Sequence, residues 1–211
     1  MKQTVKKLGL TLALFSFLAL IPMSCGVICN DSCGCGPSAF RTQQMNIKSL
    51  DVLTISSTGQ EINPSQAMAY DQVFKGIRVK EFDIIKLSEK SVPNQSTFGL
   101  ALACSQPPLI SEEKFQTIQV INRKEFALSN GTQVLKGEDI TDLFGINSIY
   151  VGTLLPLNVF VDSGRNFILE EYFKLGLLEA PEEPISFFFD LKVKFDNGKE
   201  FIFTDQNLNI N

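Results

Sequence analysis

The chain has 211 residues, with 19 basic and 23 acidic side chains, a net charge of −4, and no histidine. That balance is a poor match for nucleic acid or any other polyanion. The missing histidine removes the Ser-His-Asp arrangement and the common catalytic zinc sites.

The chain opens with a short basic stretch, Met1 to Lys7, and continues through Leu8 to Ile21 without a charge. A membrane-spanning helix needs about 20 apolar residues. A shorter apolar run after a basic start reads as the core of an export signal. It ends in Pro22-Met23-Ser24-Cys25. A small residue before a cysteine resembles a bacterial lipoprotein signal, cut just before Cys25, whose thiol is then acylated. Pro22 stands where that pattern usually has an aliphatic residue, with Ile21 one position further back. The competing reading of Cys25 is an ordinary disulfide cysteine. Residues 1–24 are therefore expected to be a lipoprotein signal peptide. Its removal takes Lys2, Lys6 and Lys7 and leaves 16 basic against 23 acidic residues, a net of −7. Each buried methylene contributes about 0.8 kcal/mol, and a cysteine carrying more than one acyl chain anchors firmly. The expected partner is thus the membrane, through the lipid. The expected place is the outer membrane, on its periplasmic or cell-surface face.

Residues 25–39 read as a lipidated tether rich in Cys and Gly. Cys29, Cys33 and Cys35 lie there, and Cys104 lies far along the chain. In an exported protein these four permit two disulfides in three connectivities. A Cys33–Cys35 bond strains a small ring and ranks lowest. Both other arrangements tie Cys104 to the tether, closing a loop of about 70 residues for about 4 kcal/mol. A metal site is the alternative, but Cys29-x3-Cys33-x-Cys35 lacks zinc-ribbon spacing. No metal or other cofactor is expected.

Residues 40–211 read as a single all-β domain. Met45–Ser56 and Ile77–Glu89 alternate with a period of two and hold β-branched residues. Phe98–Cys104 is apolar on both parities, like a central strand. Phe115–Asn122 alternates, with Phe115 expected on the face opposite Ile118 and Val120. Asn130-Gly131 reads as a hairpin turn. Ile185–Asp205 reads as a long hairpin: Phe187, Phe189, Leu191, Val193 and Phe195 share one face, and Asp196-Asn197-Gly198 makes the turn. Asn63-Pro64 reads as the cap of a short helix and Glu138–Phe144 as one or two helical turns. Ile146–Asp162, including Tyr150, reads as a buried strand. Short strands every 10 to 15 residues suggest an immunoglobulin-like β-sandwich, with long loops or extra edge strands given the length.

Candidate chemistry is sparse. Glu170-Glu171 and Glu182-Glu183 are sequence neighbours, which a strand would send to opposite faces, so they read as solvated edges rather than a glycosidase pair. Glu138, Asp139 and Asp142 read as a helix start rather than a calcium loop. Most of the 18 Phe follow strand spacing and read as core. Tyr70, Tyr150 and Tyr172, with no Trp, offer little platform for sugar rings. Asn94 and Asn130 head glycosylation-type tripeptides, and a turn explains Asn130 better.

Four features occur together: a leader cysteine with a Cys/Gly tether, Ala103–Leu109 ("ACSQPPL"), Gly137–Phe144 ("GEDITDLF") and the terminal hairpin with Phe195–Phe201 ("FDNGKEF"). The combination resembles an uncharacterised lipoprotein family of gut Bacteroidetes, a domain of unknown function. The resemblance implies an all-β exported domain with no catalytic residues to transfer. The expected role is non-catalytic binding or structure in the envelope, for a protein or glycan ligand the sequence does not identify. The alternatives are a glycan-binding component of a nutrient-uptake system and a fimbrial or adhesive subunit.

Overall fold

The structure, a computed structural model, describes residues 43–85, 108–127 and 131–211. The five cysteines, the expected Phe98–Cys104 strand, Asn94 and Asn130 lie outside these residues. Among the described residues, no helix is long and apolar enough to cross a membrane.

The fold is all-β, as the alternation predicts. The strands are β1 (Gln44–Ser56), β2 (Val73–Ile85), β3 (Ile110–Asn122), β4 (Phe126–Ala127), β5 (Gln133–Val134), β6 (Phe144–Ser148), β7 (Leu155–Pro156), β8 (Asn166–Ile168), β9 (Phe173–Leu177), β10 (Ile185–Phe195) and β11 (Glu200–Ile210). Among the described residues, one short α-helix, α1 (Leu157–Asp162), lies between β7 and β8. One set of strands runs β1-β2-β9-β6-β7, all antiparallel. The other runs β3-β10-β11, also antiparallel. The start of β3 joins them, pairing parallel with β1 at Gln44–Ile110 and antiparallel with β8. The joined sheet has nine strands, and β4 and β5 form a separate ribbon.

Phenylalanine rings fill the space between the two sets. The ring of Phe115 (β3) lies within 5.4 Å of Phe160 (α1), Phe167 (β8), Phe173 (β9) and Phe195 (β10). Phe144 (β6) meets Phe187 and Phe189 (β10) at 5.6 and 5.3 Å. These are the tilted and edge-on geometries that ring quadrupoles favour. In β10, every second residue from Phe187 to Phe195 is buried.

Phe115 shares this core with Ile118 and Val120, against the parity of the sequence. The reason is a bulge: β10 pairs Lys194 with Thr117 but Phe195 with Phe115, so Gln116 is an extra residue. An extra residue in one strand inverts the faces beyond it. The same device acts twice more. In β1, a shift around Lys48 lets both Ile47 and Leu50 point inward. In β11, Phe189 pairs with Gln206 but Leu191 with Phe203. Phe201 and Phe203 therefore precede the bulge on one parity, and buried Leu208 and Ile210 follow it on the other. Asp205 sits at φ +54 in that bulge, and its N–H donates to Asp190 Oδ1 at 3.1 Å.

Two further expectations are corrected. Asn63-Pro64 begins a turn, with Ser65 N–H donating to Asn63 Oδ1 at 2.9 Å, and the chain then extends so that Met68 bridges Ile210. The 146–162 stretch is no single strand: β6 ends at Ser148, Tyr150 is 83% exposed in the following turn, and α1 begins after Pro156. Proline suits a helix start, Leu157 and Phe160 are buried three apart, and Gly164 at φ +64 follows the end. The 138–144 segment forms a single 3-10 turn, Thr141–Leu143.

Candidate functional site

The segment between β9 and β10 reads Leu178-Glu179-Ala180-Pro181-Glu182-Glu183-Pro184. Pro181 and Pro184 fix φ on either side of the two glutamates and restrain the loop. Its first residue is tied down, with Leu178 N–H donating to Leu143 O at 3.0 Å beside the 3-10 turn. Together with β4, this loop encloses a cleft of about 700 Å³. Phe126, Leu143, Leu177, Ile185 and Phe187 give it an apolar wall; Leu177 and Phe187 are buried. Asp142, Glu179, Glu182 and Glu183 stand among its lining, and among the described residues no basic side chain does. All four carboxylates are exposed. The cleft thus offers apolar area below a negative rim.

A second groove of about 480 Å³ adjoins it through Asp142, between β3 and α1, and is lined also by Asp139 and Asp162. Asp139 Oδ1 already accepts Thr141 N–H at 2.9 Å, and Glu138 Oε2 accepts Leu135 N–H at 3.0 Å. These carboxylates close local turns. Among the described residues, no three His, Cys, Asp or Glu side chains are grouped to hold a metal.

The other sequence candidates are dispersed. Glu182 and Glu183 line the cleft together, whereas Glu171 accepts a hydrogen bond from Ser148 Oγ and Glu170 is exposed at φ +71. Tyr172 is engaged by Arg78, whose Nη1 donates to its hydroxyl at 2.6 Å while Nη2 pairs with Asp51 at 3.1 Å. Tyr70 packs against the core. Tyr150 projects from the β6–β7 turn, so the three form no common platform.

Among the described residues, two buried cations lie outside the cleft, and sequence reasoning missed both. Lys75 (β2) is 3% exposed on the core face between Val73 and Ile77, with Nζ donating to Thr54 Oγ1 at 2.9 Å. Burial lowers its pKa from 10.5 to about 8. Lys174 (β9) is also buried; Nζ lies 5.1 Å from the Phe74 ring centre and donates to Gly152 O at 3.4 Å. Its pKa is lowered by the same desolvation. The signal was present: each lysine interrupts a run that is otherwise apolar.

No family model matches the chain, and no curated protein matches it. Two solved structures are similar over 77% of this chain. One is the Streptococcus agalactiae AgI/II polypeptide BspA C-terminal domain, wild type, at 10% identity and TM-score 0.26. The other is a chain named BspA_C_mut, at 10% identity and TM-score 0.25. The match spans about half of those chains, 49% and 46%. Likeness at this level carries no argument about function.

Proposed function

We propose that the chain is an exported, non-catalytic envelope lipoprotein, acylated on Cys25, whose β domain binds a ligand in the cleft under the 178–184 loop. The leader and Ser24-Cys25 support export and acylation. The cleft carries the binding role: concave, apolar-walled sites with a few polar groups are where proteins take ligands. Its four carboxylates select a ligand with an apolar body and positive charge, such as a segment bearing aromatic and basic side chains.

Two experiments separate the parts. Mass spectrometry of the mature amino terminus reads the anchor, and Cys25→Ala should release the chain from membranes; a free thiol at Cys25 defeats that part alone. Binding is read by fluorescence anisotropy with a labelled peptide of alternating Lys and Phe, against its Glu and Phe counterpart. The basic peptide should bind more tightly, and Glu182→Lys with Glu183→Lys should weaken it about tenfold or more, in a salt-dependent way. Equal binding of both peptides, or indifference to the double substitution, defeats the cleft reading.

A further inference from the structure

Among the described residues, β11 ends its side of the sheet, and only part of its outer edge is covered. In β10 and just past its end, the even-numbered residues bond toward β3: Asp196 N–H donates to Lys114 O at 3.0 Å, and Phe188 O accepts from Arg123 N–H at 2.7 Å. The odd ones bond toward β11, as when Phe195 N–H donates to Lys199 O at 2.8 Å. With Val193 opposite Phe201 and Leu191 opposite Phe203, the backbone groups of those two phenylalanines are used inside the hairpin. Those of Glu200, Ile202 and Thr204 point outward.

Beyond the bulge the outward residues are Asn207, Asn209 and Asn211, and there the chain covers its own edge. Met68 N–H donates to Asn209 O at 3.3 Å, and Asn211 N–H to Met68 O at 3.0 Å. The side-chain amides of Asn207 and Asn209 donate to Pro64 O at 3.0 and 2.8 Å. Among the described residues, no strand pairs with the outer edge of Glu200–Thr204. Ile202 is 55% exposed there, and Phe201 and Phe203 are half-buried on the flank of the core. An open apolar strand edge is a template for another strand.

We propose that this edge pairs with the same edge of a second copy, antiparallel about Ile202. That two-fold sets Ile202 against itself, Glu200 against Thr204 and Phe201 against Phe203. Every outward backbone group then meets an outward group, giving about six N–H···O bonds. No like charges are opposed, and the central pair is β-branched. A slip of one pairing step sets Glu200 against Ile202 and forfeits bonds. An unrelated strand would satisfy the backbone equally, but the side chains match their own copy. The Asp205 bulge closes the segment at one end, and Lys199, held by Glu113, closes it at the other. The interface is therefore short and the association weak.

Sedimentation equilibrium of the full-length chain in detergent, over a concentration series, tests this. A reversible monomer–dimer equilibrium is expected. Ile202→Lys should raise the dissociation constant about tenfold or more. Val159→Lys, at an exposed position on α1, should leave it unchanged. Position 204 reads the register: Thr204→Glu, facing Glu200, weakens the dimer and Thr204→Lys strengthens it. Thermal melts confirm that each variant is folded. A chain monomeric throughout the series, or a dimer indifferent both to Ile202→Lys and to the sign of charge at 204, overturns the proposal.

Discussion

The ammonium of Lys199, just past the β10–β11 turn, donates to Glu113 Oε1 at 2.9 Å, and both groups converge on the backbone N–H and C=O of Ile47. The Glu113 carboxylate accepts Ile47 N–H at 3.1 and 3.3 Å, and Lys199 donates to Ile47 O at 2.7 Å. Ile47 lies two residues past the last β1–β3 pair. Where the strands part, two side chains thus supply the donor and acceptor a continuing strand would have given.

Breaking this pair should be costly, because Glu113 is only 2% exposed. Lys199→Met leaves the carboxylate buried without its cation and should cost about 2 kcal/mol, discounted because Lys199 itself is partly exposed. Glu113→Gln should cost about 1–2 kcal/mol. The double variant should cost less than the sum, by about 1 kcal/mol, in urea titrations. Strict additivity would show that the two residues act separately.

Lys75 makes stability depend on pH. Its folded pKa of about 8 lies below the ordinary 10.5, because burial disfavours the charged amine. At pH 7 both folded and unfolded chains hold the proton, and the burial penalty is in full force. Between the two values the folded chain has released a proton that the unfolded chain keeps, so this residue's contribution rises with pH. Lys75→Met should therefore stabilise by about 3 kcal/mol at pH 7, with the gap closing toward pH 10. A gap that stays constant with pH would refute the assignment.

Gly145 and Gly176 face each other across β6 and β9, with Leu154 lying over both. A Cβ on Gly176 would sit 2.6 Å from Phe74 Cδ1, a ring atom with little room to move. Gly176→Ala should cost about 1–3 kcal/mol as overpacking. Thermal melting of this variant against Gly152→Ala, where φ is not positive and no described residue lies within 4 Å of the Cβ, separates packing from loss of glycine alone.

Strand existence was legible wherever period-two alternation ran unbroken, above all from Phe187 to Phe195. It misled at Phe115 because a bulge is a property of the pairing of two strands, and Gln116 carries no local mark of it. The α1 segment carries helix signals in Pro156, the Leu157–Phe160 spacing and Gly164, but they sit inside a longer apolar stretch, Ile146–Asp162, that reads as one strand. The cleft was illegible for another reason. Glu182 and Glu183 stood out as charges, but their apolar neighbours Phe126, Leu143 and Phe187 come from three distant segments.

The β11 bulge rests on Asp205 holding a left-handed backbone, φ +54. Asp205→Gly suits that conformation and loses only an exposed pairing with Arg123, so it should change stability by about 0.5 kcal/mol or less. Asp205→Val, β-branched at positive φ, should cost about 1–3 kcal/mol. Equal effects in chemical denaturation would show that the bulge tolerates either backbone.

The Met68–Ile210 bridge joins positions 142 residues apart, and Lys199 reaches Glu113 across 86. Synthesis proceeds from the amino end, so β11 can seal that flank only after β1 to β10 have all been made. Loops this long close slowly. Until β11 arrives, the Lys199–Glu113 contact and the Met68–Ile210 bridge are both unmade, so that flank of the sheet is assembled last.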